Sequence, residues 1–282
     1  MTAPQTLALA YSPCPNDTYI FAAWTQGKLR GAPPVRVVLD DVEALNEAAR
    51  AARFELTKVS YGAIPYLTSG YRILRAGGAL GRACGPLVVA RKDGAARTLA
   101  ELPTGARIAI PGTLTTAYLL LRLALPHAPV AVPMRFDRIV AAVAAGEVEA
   151  GLIIHESRFT YQNAGLRALA DLGDWWERET GAPIPLGAIL VRRDLPAALA
   201  RELDATIRAS LALARADEAS IAPYVRAHAF EMDDAVMRAH IALYVNDYSD
   251  DLGADGIAAV EGLFARASAA RLIPAGVRPE FV

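Results

Sequence analysis

GEVEAGLIIHESRFTY, residues 146 to 161, carries the reading on which the fold turns. Its apolar run from Val148 through Ala150 and Leu152 to Ile154 stops abruptly at His155, Glu156, Ser157 and Arg158. A run that short, ending in polar residues, reads as a buried strand whose end opens on a cleft. In open α/β sheets, ligands bind at such strand ends. An imidazole there, with an ordinary pKa of about 6.5, exchanges a proton at neutral pH without a large shift. The competing reading is a histidine that simply packs.

On either side of this stretch, strands and helices alternate. FDRIVAAVAAGE precedes it as a helix with Gly146 as its stop. Toward the N-terminus, TLALAY (6–11) is a strand broken by the two prolines of SPCPNDT (12–18). Asn16, Asp17 and Thr18 suit the cap of a helix carrying Ile20, Phe21 and Trp24, and such an end can turn free N–H groups toward a ligand. VRVVLD (35–40) is a second strand, and Asp40 and Asp41 open the next helix. LTKVSYGAIPYL (56–67) holds a third, whose final residues Lys58, Val59 and Ser60 are placed to hold a polar ligand group; Ser60 as a plain cap is the alternative. Tyr71 to Leu74 reads as a further strand. GGALGRACGP (77–86) matches neither GxGxxG nor GxxxxGK[ST], so its glycines serve close backbone approach or a hinge.

PLVVARKD (86–93) reads as a strand crossing into a second unit, and Gly187 to Arg192 as the strand that returns. Between them, RTLAELPTGARIAIPGTLTTAYLLLRLAL (97–125) runs from strand through a proline-glycine turn to a helix. Thr115, Thr116 and Ala117 open that helix, where hydroxyls and free N–H groups could together bind a carboxylate or merely cap. Trp175 and Trp176 could pave a wall for an aromatic ligand or pack in the core. Beyond Pro196 the pattern is helical. The expected architecture is α/β and two-lobed, with residues 1–90 and 190–282 forming a discontinuous lobe 1 and 91–189 forming lobe 2. The cleft lies between them, as in folds that hinge shut over ligands.

Composition narrows the function. Apolar residues make up 54% of 282, and 29 basic residues nearly balance 30 acidic ones. That excludes disorder and gives no footprint for nucleic acid or an anionic membrane, leaving a small-molecule partner. Apolar runs such as LGAILV (186–191) are far too short to span a bilayer. The N-terminus lacks a basic leader, and Cys14 and Cys84 are too few for a disulfide framework, so a cytoplasmic location is expected. His127, His155, His228 and His240 have no zinc-site spacing, so no metal and no cofactor is called for. Oligomeric state is not encoded in any pattern here.

SPCPNDT, DDVEALN, KVSYGA, GGALGRACGPLVVAR, PGTLTTAYLLL, GEVEAGLIIHESRFTY and DLGDWWE with PLGAILVRRDL, in that order, resemble the 1,4-dihydroxy-6-naphthoate synthase family of the futalosine route to menaquinone. That resemblance implies a fold similar to type II periplasmic binding proteins. It also implies a lyase acting on cyclic dehypoxanthine futalosine and releasing dihydroxynaphthoate and dihydroxyacetone. The family's proton acceptor falls on His155, and its substrate-binding positions on Lys58, Val59, Ser60, Thr115, Thr116 and Ala117. One departure stands out: Thr113 and Leu114 follow the proline-glycine pair where the family often has a basic residue. Holding the ring carboxylate would then pass to N–H groups, hydroxyls or another arginine. Glu156 and Arg158 could orient the ring or screen charge. Two other readings compete: a chorismate dehydratase of the same pathway, and a non-catalytic solute-binding protein for an aromatic acid.

Overall fold

The structure, a computed structural model, describes residues 6–125, 127–230 and 233–282. The chain begins with β1 (Leu7–Tyr11), α1 (Pro15–Thr25), β2 (Val35–Leu39), α2 (Val42–Arg50), β3 (Leu56–Ser60), β4 (Tyr71–Ile73) and β5 (Ala79–Gly81). It then passes through β6 (Leu87–Arg91), β7 (Arg107–Ile110), α3 (Thr116–Ala124), β8 (Val130–Pro133), α4 (Phe136–Ala144), β9 (Ala150–Ile153), α5 (Ser157–Thr160), β10 (Leu166–Asp171) and α6 (Leu172–Thr180). It returns on β11 (Ile184–Arg192) and ends in α7 (Ala197–Ala216), α8 (Glu218–His228), α9 (Asp234–Tyr244), α10 (Asp247–Asp250) and α11 (Gly253–Ala269).

Two sheets result. One has the order β2-β1-β3-β11-β4 with β5 paired to β11, and the other the order β10-β6-β9-β7-β8. Strands linked by a helix run parallel, as β1 does to β2 and β3, and β7 to β8 and β9. The strands that arrive by crossing between lobes run antiparallel: β11 against β3, and β6 against β9. Because β6 bonds wholly within the second sheet and β11 wholly within the first, boundaries at 90/91 and 189/190 would cut each crossing strand from its sheet. The passages lie earlier, in 82–86 and 181–183, since hydrogen-bonding partners and not chain position decide where a strand belongs.

Each lobe has a core of its own, Leu9, Phe21, Ile189 and Ile207 in the first and Val89, Ile139, Val143 and Leu166 in the second. A third cluster joins them: Tyr61 and Ile73 pack in one continuous body with Ile108, Leu120, Trp176 and, from α11, Val260 and Leu263. The cleft is therefore backed by shared apolar packing. Glycine permits the tightest part of the crossing, where a β-carbon at Gly85 would sit 2.1 Å from the Gly173 nitrogen. No described helix is long and apolar enough to cross a membrane.

Candidate active site

The cleft, about 670 Å³ including its open mouth, is walled by the first turn of α1, the end of β3, the start of α3, His155 and the α9 residues His240 and Tyr244. Asn16, Asp17, Lys58, Val59, Ser60, Thr115, Thr116 and Ala117 all line it. Segments far apart in the chain meet here because β1, β3, β7 and β9 all end toward the cleft.

The first-lobe wall is a paired polar network. Cys14, not a residue of the Asn16–Thr18 triplet, occupies the cap position of α1, with Pro15 entering the helix directly. That frees the Asp17 carboxylate, which accepts from Lys58 Nζ at 2.7 Å, Ser12 Oγ at 2.7 Å and Asn16 Nδ2 at 2.8 Å. Lys58 Nζ also donates to the Gly77 carbonyl at 3.0 Å, which leaves one of its three N–H bonds for the cleft. Ser60 is held through Asn46, whose Oδ1 accepts from the Ser60 backbone N–H at 2.9 Å. Thr18 departs from expectation: its hydroxyl donates back to the Cys14 and Pro15 carbonyls, so it braces the helix and does not face the cleft.

On the opposite side, β9 ends and the next turn carries His155 at φ 57°. That left-handed conformation costs a residue with a β-carbon about 1–2 kcal/mol and persists only where the surroundings impose it. Phe136 packs edge-on against the imidazole, with centroids 4.8 Å apart, and His240 lies nearly parallel to it at 6.2 Å. The residue as a whole is half-buried, but its Nε2 is sealed from solvent and has no hydrogen-bond partner. Burial pushes the His155 pKa down to about 4; Asp17 raises it and Lys58 lowers it, so the ion pair opposite offsets itself. The unperturbed titration expected from sequence is thus corrected. The imidazole is neutral at pH 7.

Sequence spacing hid two further features. His240, fully buried on α9, joins Asn16 Oδ1 through Nε2 at 2.9 Å and packs on Tyr244. Nothing local marks it, though it shares the buried face of its helix with Met237 and Tyr244. Cys14, His155 and Glu156 bring a sulfur, a ring nitrogen and a carboxylate oxygen within 4.8 Å of one another, a set of metal-ligand type that linear spacing did not reveal. Burial, followed by the charges of Glu156 and Asp17, raises the Cys14 thiol well above its ordinary pKa and holds it protonated.

Other expectations are revised. The Thr115 hydroxyl caps its own helix, accepting from Tyr118 N and donating to the Gly112 carbonyl. Thr116 Oγ bridges the lobes, donating to Leu186 O at 2.6 Å and accepting from Gly62 N at 3.0 Å. Both hydroxyls serve the scaffold, so only the backbone N–H groups at the start of α3 remain for an anion. Thr113 and Leu114 meet the first lobe too, since Glu43 Oε1 accepts from the Leu114 N–H at 2.9 Å and the Thr113 hydroxyl at 3.3 Å. Trp176 is buried, with Nε1 donating to Pro183 O, and neither it nor Trp175 lines the cleft. Their side chains fill the α6 packing and do not pave a wall. Arg158 pairs with Asp171 at 2.6 Å and donates to the Ala83 and Gly85 carbonyls, pinning the crossing segment.

A family described as menaquinone biosynthesis matches residues 7–269. The chain is 51% identical over 278 residues to a 1,4-dihydroxy-6-naphthoate synthase of Thermus thermophilus, covering 99% of this chain and 100% of that one. It is 48% identical over 275 residues to a Streptomyces coelicolor protein of the same name, covering 96% and 95%. Among solved structures, a protein of Archaeoglobus fulgidus superposes with a TM-score of 0.88 at 37% identity, covering 95% of this chain and 98% of that one. The alkanesulfonate-binding protein of Xanthomonas axonopodis pv. citri superposes with a TM-score of 0.75 at 19% identity, covering 97% and 96%, a likeness of fold of the periplasmic-binding-protein kind.

Proposed function

The chain belongs to the menaquinone biosynthesis family, and from that premise we propose that its cleft binds cyclic dehypoxanthine futalosine, with His155 as the base of a carbon–carbon lyase. The single observation that carries the role of His155 is its sealed, neutral Nε2, without a protein partner, in the wall of the cleft. A base must be unprotonated and within reach of the proton it takes. His155 meets the first condition by burial, and its place in the cleft wall suits it to the second.

In this mechanism Nε2 removes the proton from a hydroxyl of the sugar-derived part. That oxygen becomes a carbonyl as the adjacent carbon–carbon bond breaks, the bonding pair passes into the ring fragment, and the proton returns from His155 to complete dihydroxyacetone and 1,4-dihydroxy-6-naphthoate. Aromatic ring formation drives the cleavage, so the protein supplies chiefly orientation and proton transfer. The backbone N–H groups of Thr116 and Ala117, with the partial positive charge of the α3 N-terminus, hold the ring carboxylate. Lys58 and Ser60 bind polar groups nearer the break. The two cysteines, both free and buried, suit a cytoplasmic enzyme.

His155→Asn tests the reading. Turnover of cyclic dehypoxanthine futalosine should fall 100-fold or more, roughly the value of a general base, while calorimetry still detects substrate binding. Normal turnover by this variant would remove His155 from the role. Dehydration of chorismate by the unmodified protein, without naphthoate formation, would replace the reaction altogether.

A further inference from the structure

His240 is the second histidine of the cleft wall and is itself buried, and the reaction above leaves it without a task. Its protonation pattern can be followed from the far end of the network. The Lys58 ammonium faces Asp17, whose ionised carboxylate can only accept. Asn16 therefore turns its Nδ2 donor to Asp17 and leaves Oδ1, also only an acceptor, facing His240 Nε2. The proton of the neutral ring must then sit on Nε2. Nδ1 is left as a lone pair, sealed from solvent and with no hydrogen-bond partner.

A buried acceptor left without a partner on a residue of the cleft wall is a place for a ligand donor, because an unmet polar group is costly and a bound hydroxyl satisfies it. His155 lies alongside with its own Nε2 also open, and the two rings are close to parallel at 6.2 Å. We propose that His240 Nδ1 accepts a hydrogen bond from a second hydroxyl of the substrate, so that the site selects ligands presenting two O–H donors and turns one of them to His155. The placement of the second donor rests on the reading of His155 as base; the acceptor character of Nδ1 stands without it. A substrate lacking that hydroxyl would leave the lone pair unmet, which is how a polar site rejects a close analogue.

Nitrogen-15 spectra of histidine-labelled intact protein read the pattern directly. His240 should show a pyrrole-type Nε2 and a pyridine-type Nδ1, and the reverse assignment would overturn the proposal. Calorimetry supplies the ligand side: His155→Asn/His240→Phe should bind cyclic dehypoxanthine futalosine about tenfold more weakly than His155→Asn alone. Equal affinities in a folded double variant would overturn it. Should that variant fail to fold, the shift of the Nδ1 resonance of His155→Asn on adding substrate decides instead, and an unmoved resonance at saturation refutes the contact. Failure of His155 as base would show in turnover alone and leave these two readouts intact.

Discussion

The two walls of the cleft are built on opposite terms. In the first lobe, Lys58, Asp17, Asn16 and Ser12 satisfy one another within a buried network of short hydrogen bonds. In the second, His155 stands on a left-handed turn with Nε2 sealed from solvent and bonded to nothing. A charged group must be paired to survive burial, whereas a neutral imidazole can be buried unpaired at lower cost. The pairing that fixes the first wall would disable the second, because a base already holding a hydrogen bond must break it before taking a proton.

The strongest way to break this contrast is to unpair the first wall. Lys58→Met leaves Asp17 charged and buried without its cation, so stability should fall by about 3–5 kcal/mol, measured as a lower urea midpoint. Adding Asp17→Asn should recover part of the loss, which sharpens the claim that pairing, and not bulk, is what the lysine provides. A smaller effect is expected where the walls meet. A β-carbon on Gly62 would lie 2.8 Å from the Thr115 carbonyl across the cleft, so Gly62→Ala should hold the lobes apart. KM should then rise by about tenfold, and the urea midpoint should fall as well, because the crowded contact is one the folded structure already makes. The least is expected of Thr116→Val. Gly62 N loses its acceptor, but Leu186 O keeps its bond from Tyr61 N, so KM should rise roughly threefold to fivefold, about the net worth of one hydrogen bond.

Much of the framework was legible because it rests on local pattern. The run ending at His155, the strand ending at Ser60 and the strands within 86–93 and 187–192 follow from apolar period and turn chemistry, and the structure has strands at each. What stayed hidden depends on meetings between distant segments. His240 looks like any helix residue until α9 is laid against Asn16. The threonine pair invited an anion site, yet its hydroxyls are taken by Gly112 and by the opposite lobe, which no local signal announces. Trp175 and Trp176 offered ring surface for a ligand, but the packing of α6 turns them away from the cleft. The depressed pKa of His155 likewise comes from burial supplied by other elements, so the sequence alone returned the ordinary value.

The pH dependence of kcat/KM for cyclic dehypoxanthine futalosine tests the neutral-base claim most directly. The active form is the unprotonated imidazole, and a pKa pushed down to about 4 keeps that form populated until the pH falls through that value. The same depression means that native stability begins to decline below about 6.5, where the unfolded histidine takes up its proton and the folded one does not. Activity corrected for unfolding should therefore stay level from pH 8 to about pH 5 and drop about tenfold per unit only below about 4. An acid limb centred near the ordinary histidine value of about 6.5, and lost in His155→Asn, would contradict the account.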